Sequence, residues 1–283
     1  MALLDPISIT ITRSDNTSET FSGRPANGEA FGITELVGFE FPEVEVFTAA
    51  KGLGDGVFFT GQRLNGRTVE IHLKQNERYP DDFYLAWQLL KNFFNPAHSF
   101  KIKVVYTPYT GLTQTRYLND CRILAADYHM INASEPNPEL IVQMMSPNPF
   151  FEEASGSEQI FYTDNVALTY TYIGDYKTRP VLIFKCTNAG DGTVLSFDVT
   201  MNGVQWSVGT PTAISVGDQI TLDPETMGIG FNGPPDPDQA GTANVIYEAW
   251  WLNPGTNANT FTIDGNGCTF TFSVSYTPRY LGI

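Results

Sequence analysis

The sequence predicts a mainly β protein, and three observations support this prediction. Short segments alternate apolar and polar residues, glycine-containing turn dipeptides separate them, and only one segment shows helical spacing. In the first segment Ile7, Ile9 and Ile11 share one face, while serine and threonine occupy the other. A length of 283 residues fits about two domains.

The first half of the chain is predicted to be strands around one helix. Dipeptides such as Asp55-Gly56 and Asn65-Gly66 mark turns between apolar runs, because both favour the left-handed backbone of tight hairpins. The predicted strands of this half are 7–12, 68–74, 100–107, 123–131 and 140–145.

The one predicted helix covers 81–95. Asp81 or Asp82 could cap its start, and Asn95-Pro96 ends it. Its broad apolar stripe is expected to pack against a sheet. The apolar residues at helical spacing are Phe83, Ala86, Trp87, Leu90, Phe93 and Phe94.

A domain boundary is predicted within 147–156, where proline, serine and glycine interrupt the strands. The first domain, 1–155, is then a β-sandwich or barrel-like domain with one α-helix. The second domain, 156–283, is all strand, with an exposed proline-rich loop at 233–241. Its main predicted strands are 166–172, 181–183, 195–199, 245–250 and 269–276.

Charge and cysteine content exclude several function classes. Sixteen Lys and Arg against 31 Asp and Glu give a net charge of −15, which disfavours tight binding to nucleic acid or to an anionic membrane. No apolar stretch approaches the roughly 18 residues of a membrane helix. Three widely spaced cysteines form neither a disulfide framework nor a Cys-x-x-Cys metal site, and we interpret them as buried free thiols.

Two glycine motifs match nucleotide-binding loops in residue spacing, but the secondary structure predicted after them does not match. The segment 61–68 has Arg67 where a phosphate-binding loop needs lysine, and it leads into a strand rather than a helix. A hairpin turn at Asn65-Gly66 explains it better. The segment 228–233 is followed by Pro234 and Pro235, so no helix can start there.

Histidines and carboxylates give no catalytic or metal constellation. His72, His98 and His129 lack the spacing of a zinc helix. The acidic pairs at 81–82 and 152–153 are explained as a helix start and a linker. The sequence therefore predicts no catalytic residue, no cofactor and no metal site, and a protein that is not an enzyme.

The tryptophans Trp206, Trp250 and Trp251 are candidate partner-facing or sugar-facing aromatics. Trp250 and Trp251 are adjacent, so in a strand they point to opposite faces and one of them is expected to be core. A carbohydrate-binding β-sandwich module that recognises host-surface sugars is therefore the alternative function. An enzyme acting on a cell envelope ranks third.

The order of several short segments resembles the distal tail protein family of long-tailed phages with flexible, non-contractile tails. The most specific parts are Asp-Gly followed by an Arg67-led strand, and a Leu-x-Pro-Gly-x-Asn signal ending at Asn257. The resemblance covers most of the chain. Its segments are Gly38–Pro42, Lys51–Val57, Arg67–Ile71, Pro147–Phe151, Val216–Asp223, Trp251–Asn257, Thr269–Tyr276 and the close at Arg279–Leu281.

This resemblance implies a structural virion protein whose subunits form a ring, usually a hexamer. The first domain would form the ring, and the second would be a galectin-like β-sandwich. The ring would join the tail tube protein to the tail-tip or hub protein and to receptor-binding proteins, with DNA only passing through its channel. It implies synthesis in the host cytoplasm, a place at the distal end of the tail, no membrane partner and no cofactor.

A ring built by rotation needs two different, complementary surfaces on each subunit. Exposed strand edges and hairpins are natural donors for such contacts, because their backbone groups lack partners. The candidate ring-interface residues are Ile7, Ile9, Ile11, Asn65 and Gly66.

An acidic lumen would repel DNA phosphates and so let DNA pass. We expect part of the net charge of −15 to line the channel, with Glu40, Glu43 and Glu45 as the candidate acids in a strand-like segment. A neutral or basic lumen would contradict this.

Overall fold

The chain divides into two compact units in the computed structural model. One unit is Met1–Ala154 with Tyr280–Ile283, and the other is Ser155–Arg279. The predicted second domain, 156–283, is therefore wrong for its last four residues, because these are bound to the first unit by contacts given below. The structure describes residues 7–23, 31–50, 57–75, 83–108, 111–129, 139–153, 157–162, 167–226, 228–236 and 250–283.

The first unit is built on a sheet that closes on itself. A circuit of strands closes because β8 pairs with β7 through its first half and with β9 through its second half. The order around the circuit is β8-β7-β1-β2-β3-β6-β9, and β10 and β20 continue the sheet beyond β8. These strands are β1 (Ile7–Arg13), β2 (Ser18–Ser22), β3 (Phe31–Val37), β6 (Arg67–Gln75), β7 (Phe100–Tyr106), β8 (Gln114–His129), β9 (Glu139–Ser146), β10 (Phe151–Glu152) and β20 (Arg279–Tyr280).

Alternating side chains of these strands fill the barrel. Ile9 and Ile11 of β1 are fully buried, as the alternation predicts. The helix α1 (Phe83–Phe93) contributes Leu90 and Phe93 to the same core. Phe94 lies 6.2 Å from Phe100 of β7 between ring centroids, so the end of the helix is packed on the sheet. The predicted caps Asp81 and Asp82 lie outside the described residues.

The strands β4 (Val44–Ala50) and β5 (Val57–Leu64) form a separate two-stranded sheet. They pair antiparallel with each other, from Val44 opposite Leu64 to Ala50 opposite Val57. Among the described residues neither strand pairs with the barrel. We call this hairpin the arm.

The second unit is a sandwich of two antiparallel sheets. One sheet has the order β11-β19-β13-β16-β17 and the other β12-β18-β14-β15. Phe184 of one sheet and Phe197 of the other lie 5.0 Å apart between ring centroids, in a shared core. Its strands are β11 (Ser157–Tyr162), β12 (Leu168–Tyr172), β13 (Val181–Asn188), β14 (Ser196–Met201), β15 (Val204–Gly209), β16 (Gln219–Asp223), β17 (Gly228–Phe231), β18 (Gly255–Asp264) and β19 (Thr269–Tyr276).

The prediction of a mainly β protein with one helix in its first half is confirmed. The turn at Asn202-Gly203 also forms as the sequence indicates. Both residues have positive φ, 52° and 83°, and they join β14 to β15 in a tight hairpin. The predicted strand 245–250 lies outside the described residues except for Trp250.

Candidate assembly surface

The arm exposes an unusual number of large apolar side chains. Phe41 at its base is 77% exposed, and Phe58 and Phe59 of β5 are 58% and 64% exposed. Together these three rings present about 400 Å² to solvent, given about 200 Å² for one phenylalanine. Several large apolar side chains exposed on one hairpin and at its base are typical of an interaction surface. The other exposed apolar residues of the arm are Val44, Val46, Phe47 and Val57.

Both faces of the arm are exposed. Consecutive residues of a strand point to opposite faces, so Phe58 and Phe59 lie on different sides of β5. Both rings are more than half exposed, so each side of the arm presents an aromatic side chain to solvent. The arm thus offers apolar surface on two sides, and among the described strands β4 and β5 pair only with each other.

Only one ion pair lies on the described arm. Arg63 Nε donates to Glu45 Oε2 at 2.7 Å, and the Arg63 guanidinium lies 5.4 Å from the centroid of Phe47. Glu45 therefore has a cationic partner. Glu40 and Glu43 are exposed, and the proposal that these acids line a channel stays a prediction.

Arg67 anchors the base of the arm. Its side chain is buried, and its guanidinium donates to four backbone carbonyls. It also lies 4.6 Å from the centroid of Phe151, where the ring face favours a cation. The acceptors are Gly38 O at 2.7 Å, Glu40 O at 2.8 Å, Pro149 O at 2.7 Å and Leu281 O at 2.5 Å.

Gly38 is required where the chain turns towards the arm. Its φ is +79°, and a Cβ atom there would collide with the carbonyl oxygen of Thr68. Only glycine has both the backbone freedom and the small size for this position. Gly38 and Arg67 together fix the segment from which the arm starts.

The last residues of the chain complete this anchor. Tyr280 Oη donates to Glu153 Oε2 at 2.9 Å, and the Arg116 guanidinium lies 3.3 Å from the Tyr280 ring centroid. The amide of Ile283 donates to the carbonyl of Phe39 at 3.2 Å. Residues 280–283 are thus bound to the segment that Arg67 holds.

The prediction that Ile7, Ile9 and Ile11 form a ring interface is wrong. The strand β1 is paired on both edges, with β2 and with β7, so it offers no free edge. The three isoleucine side chains point into the barrel core. The alternation predicted the strand correctly but not its interior position.

The prediction of a hairpin turn at Asn65-Gly66 is also wrong. The strands on either side of it, β5 and β6, belong to different sheets. The dipeptide is the corner where the arm returns to the barrel, and the Asn65 amide donates to the Glu43 carbonyl at 3.0 Å. Because Asn65 and Gly66 lie at the base of the arm, both remain candidate residues of the ring interface.

Two of the three tryptophans are not available to a partner. Trp206 and Trp250 are fully buried and pack edge to face with ring centroids 4.4 Å apart. The surface role predicted for Trp206 is therefore wrong, and Trp250 is the member of the pair 250–251 that lies in the core. Trp251 is partly exposed. Lys177 and Arg179 lie 4.5 and 4.7 Å from its ring centroid, and a partner-facing role for Trp251 stays a prediction.

The described residues contain no group of three His, Cys, Asp or Glu side chains that could hold a metal ion. His98 Nδ1 lies 3.2 Å from Ser14 Oγ, and His72 lies among the carboxylates of Glu35, Glu70 and Glu139. The His129 side chain lies outside the described part. No described helix has the length and apolarity needed to cross a bilayer.

The arm phenylalanines and the anchoring arginine were missed at the sequence level. The unbroken apolar run Val57-Phe58-Phe59 was the available signal, because it lacks the alternation of a half-buried strand. In the sequence, Arg67 stands out only because it takes the place of the lysine of a phosphate-binding loop. No local pattern shows that its guanidinium meets carbonyls from three distant segments.

Known structures contain this fold. The crystal structure of the Dit protein (gp 19.1) of phage SPP1, described as a paradigm of the hub adsorption apparatus in phages that infect Gram-positive bacteria, superposes with a TM-score of 0.62. The match covers 96% of this chain and 98% of the SPP1 chain at 12% identity. This chain has the fold of the SPP1 Dit protein.

Two structures of the phage P2 baseplate in its activated conformation, with Ca and with Sr, are more distant. Their TM-scores are 0.41 and 0.40 at 7% and 8% identity, and they cover 95% and 94% of this chain and 97% of each matched chain. These two likenesses are too weak to support an argument. No protein-family model and no curated protein matches the sequence.

Proposed function

We propose that this chain is a structural distal tail protein of a phage virion, whose copies form a ring, usually a hexamer in this family. The ring joins the tail tube to the tail-tip proteins and the receptor-binding apparatus, and DNA passes through its channel. The observation that carries the proposal is the exposed apolar arm on a fold shared with the SPP1 Dit protein.

The sequence pattern of β4 supports burial of the arm by a second copy. Val44 and Val46 alternate with acidic residues, a pattern typical of a strand with one buried face. In the isolated chain they are nevertheless 45% and 53% exposed. A neighbouring subunit that covers this face removes the conflict between pattern and exposure.

The size of the arm suits a subunit contact. Its strand β5 has eight residues and so extends about 26 Å, at about 3.3 Å per residue. A standard interface buries about 800 Å² on each partner, and the three exposed rings, which lie on both faces of the arm and at its base, together supply about half of that. One copy's arm packing on another surface of the next copy is the heterologous contact that a closed ring needs.

The acids near the arm base support an acidic channel. Glu40 and Glu43 are exposed, and their backbone carbonyls accept hydrogen bonds from Arg67 and from the Asn65 amide. A chain with a net charge of −15 gives phosphate groups little to bind.

The test is the oligomeric state of the purified full chain with and without the arm rings. We expect the wild type to give closed rings by light scattering and negative-stain microscopy, and the F58S/F59S variant to give monomers of unchanged Tm. The control is Leu112→Ser, which removes a residue of the first unit that is 73% exposed but outside the arm. A wild type that stays monomeric at high concentration, or an F58S/F59S variant that still forms rings, would overturn the proposal.

A further inference from the structure

Cys186 and Cys268 meet at one end of the sandwich core. Cys186 lies on β13 opposite Phe270 of β19, and Cys268 lies two residues before Phe270. Cys268 directly precedes β19, and its side chain belongs to the same buried core cluster as Cys186 and Phe270. Both cysteines are buried, with 1% and 8% of their surface exposed.

The two thiols are close enough for each to influence the pKa of the other. The backbone around them is also close. A register shift after Cys186 ends the regular pairing of β13 with β19, and a Cβ atom on Gly190 would lie 2.6 Å from the Gly267 carbonyl oxygen. Two neighbouring chain segments that place two buried thiols in the same core cluster approach the arrangement that a disulfide needs.

We propose that Cys186 and Cys268 are a redox modification site, a dithiol that a low-molecular-weight disulfide converts into an intramolecular disulfide. The Cys268 thiolate attacks the reagent disulfide, forming a mixed disulfide and releasing one reagent thiol. The Cys186 thiolate then attacks the Cys268 sulfur, forming the Cys186–Cys268 bond and releasing the second reagent thiol. The two protons lost by the protein end on the two released thiols, and the reagent is reduced as the dithiol is oxidised.

Exposure and acidity set the order and rate of these steps. Cys268 is the more exposed thiol, so it reacts first with a reagent from solvent. Burial raises the pKa of both thiols above its ordinary value, which keeps the thiolate fraction low near neutral pH. The reaction is therefore slow at neutral pH and faster as the pH rises.

The bond would close a loop across 187–267, which carries β14 to β18. Restricting the unfolded chain over so much of the sandwich stabilises its folded form. A dithiol that stays reduced in a cytoplasm becomes oxidised outside the cell. Only this setting depends on the proposed function, and the thiol chemistry does not.

The experiment treats the reduced, full-length protein with oxidised glutathione at about pH 7 and about pH 8.5 under native conditions. Intact mass, peptide mapping, a non-reducing gel and the Tm are measured. We expect the wild type to lose the mass of two hydrogen atoms, faster at the higher pH, and its sandwich Tm to rise by roughly 5–10 °C.

Matched variants identify the bond. Cys121→Ser removes the one cysteine of the first unit and should oxidise like the wild type, while Cys186→Ser and Cys268→Ser should not form the intramolecular bond. A stable glutathione adduct without the Cys186–Cys268 link, a link between chains, or a lower Tm after oxidation would each overturn the proposal. A failure of ring assembly would leave these readouts unchanged, so the two proposals fail separately.

Discussion

The Arg67 guanidinium donates to four backbone carbonyls. A buried arginine is expensive to desolvate, and four charge-assisted hydrogen bonds together with the Phe151 ring offset that cost. Because the four carbonyls come from three separate segments, the side chain joins the segment that leads to the arm, the turn between β9 and β10 and the last residues of the chain. No local sequence pattern signals this role of Arg67.

Gly38 gives the prediction at the scale of one residue. We expect Gly38→Ala to lower the free energy of unfolding by at least about 2 kcal/mol more than Gly111→Ala, because of overpacking against Thr68. Gly111 is the matched control, since it has the same φ of +79° but nothing within 4 Å of a Cβ atom. Its alanine variant isolates the backbone strain, which is about 1–2 kcal/mol.

Denaturant unfolding of both variants measures this difference. Equal losses at the two positions would mean that the Thr68 carbonyl can move, and that the turn towards the arm is not fixed as described.

At the scale of secondary structure elements, the sequence predicted strands well where one face meets the core. The first strand was expected at 7–12 and is Ile7–Arg13, and the strand expected at 140–145 is Glu139–Ser146. The strand β18 was missed because its first half is polar and exposed, with Asn257 at a positive φ of 53°. Hydrophobic periodicity reflects burial, so a strand that is exposed over its first half shows the alternating pattern only in its second half.

The arm shows the other limit of the sequence pattern. The strand-like character of 43–47 was visible, but the pattern does not say whether a buried face is covered by the same chain. Pairing partners are set by topology, and neither the return of Asn65-Gly66 to the barrel nor the interior place of β1 follows from local residues.

The arm gives the prediction at the element scale. Replacing 47–61 by an Asn-Gly turn would keep the pairs Val46–Gln62 and Val44–Leu64 at its base. We expect the shortened protein to fold with a Tm within a few degrees of the wild type, because the arm pairs with no described strand of the barrel. It should be monomeric in light scattering.

The wild-type protein at the same concentration is the control for that measurement. A shortened protein that unfolds, or that loses the near-ultraviolet signal of its packed aromatic residues, would show that the arm is part of the barrel's own core.

At the scale of the whole molecule, a net charge of −15 on each copy opposes any assembly. The exposed arm is mainly apolar, and its Arg63–Glu45 ion pair is internal. In the proposed ring, the burial of apolar surface would hold the subunits together, and the like net charge of the subunits would repel them. These two terms respond differently to salt, because salt screens exposed charges over about 10 Å at 0.1 M and leaves apolar burial intact.

We therefore expect the ring to become more stable as NaCl is raised from about 50 mM to about 500 mM, because the screening length falls severalfold over that range. Sedimentation velocity at a series of protein concentrations should show the dissociation midpoint moving to lower concentration. A ring joined by ion pairs between subunits would respond in the opposite sense and dissociate with added salt. The F58S/F59S variant should stay monomeric throughout, because screening removes repulsion but supplies no apolar surface.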